Sequence, residues 1–521
     1  MPQFAIKTAL PRYLRVEQER IEKIAAQVGL DFFPTVFEML TYDQMNEVAA
    51  YGGFPNRYPH WRFGMEYERL SKSYEYGLSK IYEMVINNNP SFAYLLEGNS
   101  FTDQKLVMCH VYGHVDFFKN NFSFRATDLD ASGNVVDPVA RPNADYHPNR
   151  KWVDKMANHG SAVRRIVDRH GIARAEEFID VCLSLENLID PYSRFMVRHR
   201  PPQVEEEPSE VSVPRLRAKD YMEDFINPEE FLEEQKRRIL EAREQQKRYP
   251  AEPVQDVLLF LLENAPLERW ERVILGVIRE EAYYFAPQMQ TKIMNEGWAS
   301  FWHSRLMTEH VADTTDIIDY AENNAGVMST AGGRLNPYKL GVELFRHIEE
   351  RWDKGQFGRE WEECDDLDQK RNWDLRLGLG AEKIFEVRSL YTDVTFIDEY
   401  LTEDFARQSN MFTYGWSNRN ERFEIESRQF KEIKEKLLFQ LTNFGNPVIR
   451  VEDANFENRG ELLLRHHHRG VDLRADYAKE TLKALVRVWK RPVVLATIVD
   501  EKSTLLRFDG KEHSATVDAN P

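Results

Sequence analysis

Apolar residues recur with a helical period along most of the first 400 residues. From about residue 14 to 200, and again from Asp256 to about Tyr400, apolar positions are spaced three and four residues apart and broken by short loops. Beyond that point the pattern changes to short apolar runs that flank two longer amphipathic segments. The predicted fold class is therefore α+β but mainly α, with a large helical domain and a smaller C-terminal α+β domain.

The C-terminal runs predict specific strands and helices. The predicted strands are MFTYG, RFEIE, NPVIRVED, ELLLRHH, RPVVLATIV and STLLRFD. The predicted helices between them are SRQFKEIKEKLLFQLTNFG and LRADYAKETLKALVRVW. This mixture is typical of a small independent domain.

Breaks in the pattern divide the chain into segments. The stretch RPPQVEEEPSEVSVPRLR, rich in Pro and Glu, predicts a linker or exposed arm, and the helix predicted after it is polar on all sides. The predicted segments are an N-terminal helical region at 1–200, the linker and charged helix at 201–255, a second helical region at 256–400 and the α+β domain at 401–521.

Composition narrows the class of protein. The formal net charge of −17 and pI of about 5.4 disfavour a general nucleic-acid binder and attraction to anionic membranes. Cys109, Cys182 and Cys364 are too few and too far apart for a disulfide framework. No signal peptide and no run of apolar residues long enough to insert in a membrane is recognisable. We expect a cytoplasmic protein.

One predicted helix carries polar groups on an apolar face. The stretch LVMCHVYGHVDFFKN, residues 106–120, has the apolar rhythm of a buried helix, yet it contains His110 and His114. Residues four apart project from one side of a helix, so the two imidazoles are expected to lie side by side. A histidine pair with this spacing is a recurrent metal-chelating arrangement.

Two later helices repeat this feature. In LERWERVILGVIREEAYYF, Glu281 falls at the centre of the apolar face. The next helix, predicted to begin at Pro287, carries Glu296 and His303 two turns apart and therefore on one face. A buried carboxylate must be paired, protonated or bound to a metal, because an isolated buried charge is costly.

These side chains together suggest a shared site. His110, His114, Glu281, Glu296 and His303 supply the imidazole and carboxylate ligands that suit a divalent transition metal, namely zinc, iron or manganese. We predict this metal site, with Glu281 or Glu296 as the catalytic proton acceptor. The alternative is a buried hydrogen-bond network that fixes helix packing.

The spacing differs from that of familiar metal proteins. HVYGH has the two histidines of the HExxH metalloprotease helix, but Val111 stands where the glutamate base should be. The Glu-x-x-His pairs of ferritin-like di-iron proteins are not recognisable here. The run His466–His468 follows a predicted strand, and an exposed polar turn is favoured over a metal site there.

Longer motifs resemble a known family. YPHWRFG, YEMVINNNPSFAYLLEGNS, HVYGHVDFFKNNF, APQMQTKIMNEGWASFWHSRLM, NPYKLGVELFRHIEERW and VDLRADYAKETLKALVRVWKRPVVLAT closely resemble the SpoVR family, the stage V sporulation protein R proteins. The resemblance spans nearly the whole chain. It implies a role in spore cortex formation, or in a stress or stationary-phase response, in company with a PrkA-type serine kinase and a von Willebrand A-like protein. It implies no particular reaction.

Two functions follow as expectations. The first is a metal-dependent hydrolase that acts on an amide or related bond, which is motivated by the His/Glu set. The second is a non-enzymatic adaptor or regulatory protein in a complex with the kinase and the von Willebrand A-like protein. It is motivated by the acidic surface, the exposed linker, the charged helix and the genes that the resemblance implies as company.

Overall fold

A computed structural model divides the chain into two compact units, each built from separate stretches of sequence. The first comprises Met1–Ile172 and Tyr283–Gly445, and the second comprises Ala173–Ala282 and Asn446–Pro521. The residues that the structure describes are 10–75, 83–136, 148–196, 228–246, 249–321, 336–417 and 422–517. The four-segment division stays a prediction, and its linker at 200–217 lies outside the described residues.

The first unit is mainly helical. Its helices are α1 (Arg12–Gln27), α2 (Tyr42–Ala50), α3 (Trp61–Glu75), α4 (Phe101–Asn120), α5 (Trp152–His170), α10 (Lys292–Leu306), α11 (Pro337–Lys354), α12 (Arg359–Glu362), α13 (Leu367–Arg371), α14 (Gly380–Leu390), α15 (Asp393–Tyr400), α16 (Glu403–Gln408) and α17 (Phe430–Leu441). Its strands are β1 (Thr35–Leu40), β2 (Glu83–Ile86), β3 (Ser91–Leu96), β4 (Thr413–Ser417) and β5 (Arg422–Ser427).

The second unit contains a larger sheet. Its helices are α6 (Ile172–Ser184), α7 (Glu229–Gln246), α8 (Val257–Asn264), the greater part of α9 (Arg269–Gln290) and α18 (Ala475–Trp489). Its strands are β6 (Ile449–Phe456), β7 (Glu461–His466), β8 (Val493–Val499), β9 (Lys502–Phe508) and β10 (His513–Val517). The predicted α+β, mainly α class is confirmed. Within the described parts of the chain, no helix is both long and apolar enough to span a membrane.

The C-terminal strands follow the predicted pattern. The sheet has the order β10-β9-β8-β7-β6, and β7 pairs in parallel with β8 because α18 connects them as a crossover. The first five residues of β8 are all buried, which accounts for its near-continuous apolar sequence. The edge strand β10 was not predicted, because four of its five positions are exposed and its sequence HSATV carries little apolar signal.

The first unit contains a three-stranded sheet that the helical periodicity did not predict. β3 lies at its centre, parallel to β1 and antiparallel to β2. Five of the six residues of β3 are buried. A short apolar run that is buried on both faces cannot be distinguished from a buried helical turn by periodicity alone.

The predicted start of a helix at Pro287 is wrong. Pro287 lies in the last turn of α9, and the next helix, α10, begins at Lys292. Proline near a helix end removes few backbone hydrogen bonds. The Thr291 hydroxyl donates to the Pro287 carbonyl at 2.6 Å and so satisfies an acceptor at this end.

Three helices of the main core approach one another closely through glycines. A Cβ added to Gly113 of α4 would lie 2.7 Å from the Cα of Ala299 on α10. A Cβ added to Gly297 of α10 would lie 2.5 Å from the Cα of Gly341 on α11. Because these neighbours are backbone atoms, neither contact has room for a side chain. The glycines therefore set the separation between α10 and its two neighbours.

We expect Gly297→Ala to destabilise the protein by about 1–3 kcal/mol, because the new methyl group must push α10 and α11 apart. The free energy of unfolding in urea measures this effect. Gly64→Ala is the matched control. Gly64 lies within α3 and a Cβ there would meet nothing within 4 Å. Alanine should stabilise that helix by up to about 1 kcal/mol. An equal change in the free energy of unfolding in Gly297→Ala and Gly64→Ala would contradict the close packing of α10 against α11.

Candidate metal centre

The two histidines of α4 and one carboxylate of α10 converge in the main core. Nε2 of His110 and Nε2 of His114 are 2.9 Å apart. Oε2 of Glu296 lies 3.8 Å from the first nitrogen and 3.5 Å from the second. The potential ligand atoms of these residues all lie within 4.8 Å of one another. The imidazoles of His110 and His114 thus lie side by side, as their helical spacing predicts.

Two further side chains hold the imidazole rings from behind. Asn295 Oδ1 lies 2.9 Å from His114 Nδ1. Because an amide oxygen only accepts, Nδ1 carries the proton and Nε2 of the neutral ring keeps its lone pair. His303, which is buried, places its Nδ1 2.9 Å from His110 Nδ1. The Nδ1 atoms are thereby occupied while both Nε2 atoms face Glu296.

Glu296 and His114 shift each other's pKa values. Burial alone would raise the pKa of Glu296, but the nearby imidazoles of His110 and His114 outweigh burial and lower it. Burial alone would lower the pKa of His114, but the nearby Glu296 carboxylate and the hydrogen bond to Asn295 raise it. Both pKa values thus move in the direction that favours the charged form of the group.

Two residues at this centre were missed by sequence reasoning. Oε1 of Glu83 lies 4.0 Å from His110 Nε2. Burial raises the pKa of Glu83, although His110 and His114 oppose the rise. The Tyr338 ring stacks on His110 with centroids 6.4 Å apart. Burial, and then the negative charges of Glu296 and Glu83, raise the pKa of Tyr338, so its hydroxyl stays protonated.

Glu281 is placed differently from the other predicted ligands. It is buried, with 5% of its surface exposed, on the part of α9 that belongs to the second unit. Among the described residues, the group of converging ligand atoms consists of His110, His114 and Glu296 and does not include Glu281. A role for Glu281 at the metal centre stays a prediction.

The residues present fit a divalent transition metal. Two ligands with bonds of about 2.1 Å to one tetrahedral ion lie about 3.4 Å apart. The separations of 3.5 Å and 3.8 Å between Glu296 and the two nitrogens are close to that value, whereas the 2.9 Å between the two nitrogens is shorter. A direct charge-assisted hydrogen bond would instead be about 2.7–2.9 Å long. Imidazole nitrogen and carboxylate oxygen are ligands that zinc, iron and manganese accept.

Two buried aspartates fix the helix that carries Glu296. Asp393 of α15 accepts the N–H groups of Ile293 and Met294, at 2.8 Å and 2.9 Å, and so caps the first turn of α10. Asp116 of α4 accepts from the Trp298 indole N–H at 2.8 Å, which ties α4 to α10. Burial raises the pKa of Asp393 to about 7 and that of Asp116 to about 6. The helix is thus held at its start and along its length.

The C-terminal histidine run differs from the centre in the first unit. His466 is buried rather than part of an exposed turn, and its Nδ1 lies 2.9 Å from the Thr497 hydroxyl. The prediction of an exposed turn is therefore wrong for His466, because the last residue of β7 still faces the sheet interior. His468 instead pairs with Asp472 at 2.8 Å.

The fold and the cluster define a mainly helical α+β protein with a candidate centre of two histidines and a glutamate. The chain belongs to the SpoVR family. The family described as SpoVR like protein matches residues 9–446, and the SpoVR-like C-terminal domain matches residues 447–500. The resemblance found in the sequence motifs is thereby confirmed.

A relative in Escherichia coli strain K12 is similar along nearly its whole length. It is described as the uncharacterized protein YcgB and is 32% identical over an alignment 521 positions long, which covers 92% of this chain and 91% of the relative. No solved structure matches the chain.

We expect the pKa of Asp393 to make stability depend on pH. Between pH 3.8, its usual pKa, and about pH 7, this carboxyl ionises in the unfolded chain while it stays protonated in the folded one. A rise in pH through this interval therefore favours unfolding. Relative to Asp393→Asn, the wild type should lose more than about 1 kcal/mol of unfolding free energy over the interval, as measured by urea denaturation at each pH.

Asp509→Asn is the control for that experiment. The N–H groups of Glu512 and Lys511 lower the pKa of Asp509, so its contribution to stability is lost only as the pH falls below this interval. The unfolding free energy of Asp509→Asn should therefore change with pH between 4 and 7 in the same way as that of the wild type. If the unfolding free energy of Asp393→Asn also runs parallel to that of the wild type across this pH interval, the raised pKa of Asp393 is contradicted.

Proposed function

We propose that the chain is a metal-dependent hydrolase that acts on an amide or related bond. The observation that supports this proposal is the convergence of Nε2 of the buried His110 and His114 with Oε2 of Glu296, whose side chain is one-fifth exposed. Groups of this kind are costly to bury together unless they bind or react with something. A zinc, iron or manganese ion is the proposed cofactor.

Each residue has a proposed role at this centre. His110 and His114 would bind the ion through Nε2, and Glu296 through its carboxylate. Asn295 and His303 would orient the rings, since outer hydrogen bonds to a ligating histidine fix its tautomer and direction. Tyr338 would donate a hydrogen bond beside the carboxylate and thereby hold it or a substrate oxygen in place.

Hydrolysis of an amide adds water across the C–N bond and yields a carboxylate and an amine. A divalent ion supplies the Lewis acidity for this reaction. A carboxylate of the site accepts the proton of the attacking water and returns it to the leaving nitrogen. Glu296 is the proposed acceptor at this centre, and Glu281 keeps that role only if it reaches the same site.

The proposed setting is the bacterial cytoplasm. Cys109, Cys182 and Cys364 are free, which agrees with a reducing compartment. Membership of the SpoVR family supports a role in spore cortex formation or in a stress or stationary-phase response. An amide substrate in cell-wall metabolism would join this setting to the proposed chemistry.

A second candidate function is that of a non-enzymatic adaptor for a PrkA-type serine kinase and a von Willebrand A-like protein. The helix α7 favours it, since its described surface is charged. Arg238 and Glu234 pair at 2.7 Å with 64% and 48% of their side chains exposed. Exposed charges of this kind add little stability but offer contacts for a partner.

We expect the purified protein from a metal-replete culture to carry a stoichiometric amount of zinc, iron or manganese. His110→Ala, His114→Ala and Glu296→Gln should each weaken metal binding by at least about tenfold, because each removes a ligand. Elemental analysis after equilibrium dialysis measures metal content. A wild-type protein without stoichiometric metal would exclude the hydrolase and favour the adaptor.

His466→Gln is the matched control for metal content. It removes a buried, hydrogen-bonded histidine of the second unit and should leave metal content unchanged. Glu281→Gln tests the remaining predicted ligand. Metal loss equal to that of Glu296→Gln would assign Glu281 to the centre, whereas full metal content would leave it with a structural role.

We expect the metal-loaded protein to cleave amide bonds in cross-linked cell-wall peptides. Newly formed amines, quantified by mass spectrometry, report the reaction. Glu296→Gln should lower the rate by at least about a hundredfold, because it removes a ligand and the proton acceptor. His466→Gln should retain the wild-type rate. Stoichiometric metal without amide cleavage would contradict the proposed reaction while leaving the metal centre intact.

A further inference from the structure

The strand β2 directs Glu83 into the same core that holds the two histidines of α4. Alternate residues of a strand face opposite sides. Met84 and Ile86 pack in a second apolar cluster with Phe54 and Tyr94, whereas Val85 packs against the main core. Glu83 therefore shares the face of Val85. Pairing of Glu83 with Leu95 of β3 fixes its backbone, and β2 packs against α4.

The carboxylate of Glu83 approaches the metal-facing nitrogen of His110. Its Oε1 is 4.0 Å from Nε2, the atom that also faces His114 and Glu296. This separation is too long for a hydrogen bond and somewhat longer than the distance of about 3.4 Å between two ligands of one tetrahedral ion. The side chain is one-quarter exposed and so keeps the freedom to turn toward the centre.

We propose that Glu83 is the second carboxylate ligand of the centre, so that the ion is held by His110, His114, Glu296 and Glu83. This assignment rests on the proposed function. Glu83 lies outside the group whose ligand atoms are all within 4.8 Å, so binding requires its carboxylate to rotate inward. Rotation about the side-chain bonds of glutamate allows this without moving β2.

A second carboxylate also resolves a conflict between binding and catalysis. A glutamate that accepts the proton of water is lost as a simple ligand, and the ion would then keep two imidazoles alone. With Glu83 present, one carboxylate remains on the ion while the other takes the proton. Two imidazoles with two carboxylates also suit zinc, iron or manganese better than the soft ion Cu(I).

The test is a titration of metal-free protein with Co²⁺, whose visible absorption reports its ligands. Glu83→Gln should weaken the Co²⁺ affinity by at least about tenfold and shift the absorption bands, because an oxygen ligand is lost. Glu83→Asp keeps a carboxylate on a shorter stem and should recover part of the affinity. An unchanged spectrum and affinity in Glu83→Gln would overturn the assignment.

Glu38→Gln is the matched control. Glu38 lies on β1 of the same sheet, is half-buried, and has a pKa that burial raises, as for Glu83. Its variant should reproduce the wild-type spectrum and affinity. Metal-free Glu83→Gln should unfold at or above the wild-type temperature, because the amide removes a charge from a partly buried position. A large loss of metal-free stability would show a structural role instead and overturn the proposal.

The outcomes separate this assignment from the proposed function. If His110→Ala abolishes Co²⁺ binding while Glu83→Gln has no effect, the metal centre stands and only Glu83 is excluded. If the wild type binds no Co²⁺, the centre and the role of Glu83 fail together.

Discussion

The close approach of α4, α10 and α11 is the constraint on which the rest of the first unit depends. Gly113 meets Ala299, and Gly297 meets Gly341, with no space for a side chain at either contact. Helices this close bring short side chains on facing surfaces within reach of one another. His110 and Glu296 meet because of this separation, and Tyr338 in the first turn of α11 lies against both.

Around these contacts, the molecule places ionisable groups in positions that water reaches poorly. The N–H groups of α10 are capped by Asp393, and Trp298 is held by Asp116. Glu296 and Glu83 have their pKa values moved in opposite directions by the same surroundings. The difference arises because Glu296 lies closer to both histidines, whereas burial dominates for Glu83. A centre with two unlike carboxylates is suited to bind a cation with one and to exchange a proton with the other.

Much of this site could be predicted from the sequence, because helical periodicity makes a polar residue on an apolar face conspicuous. His110, His114, Glu296 and His303 were found in this way, and their proximity is now seen. Glu83 could not be found, because it begins a strand of only four residues in a window that carries no clear period. Tyr338 looks like an ordinary core aromatic in the sequence. Helical periodicity does not decide the position of Glu281 relative to the centre, since an apolar face marks burial but does not identify the neighbour across it.

Helical and strand periodicity also explains which elements of the fold could be predicted and which could not. The C-terminal strands were predicted because turns and charged helices separate their apolar runs, whereas β3 resembles any buried apolar segment. The boundary at Pro287 was wrong because proline near a helix end and proline at a helix start look alike without knowledge of the neighbouring turn. Pairing partners and helix ends are set by tertiary contacts, and these are the features that periodicity does not encode.

The discontinuous first unit also fixes an order of events on the ribosome. His114 is synthesised 181 residues before Asn295, and His110 is synthesised 193 residues before His303. All of Ala173–Ala282, which belongs to the second unit, emerges in between. The nascent chain thus presents two imidazoles long before the carboxylate of Glu296 exists. Glu83, His110 and His114, three of the four proposed ligands, are therefore synthesised before this insertion, and the candidate centre is complete only after the insertion has left the exit tunnel.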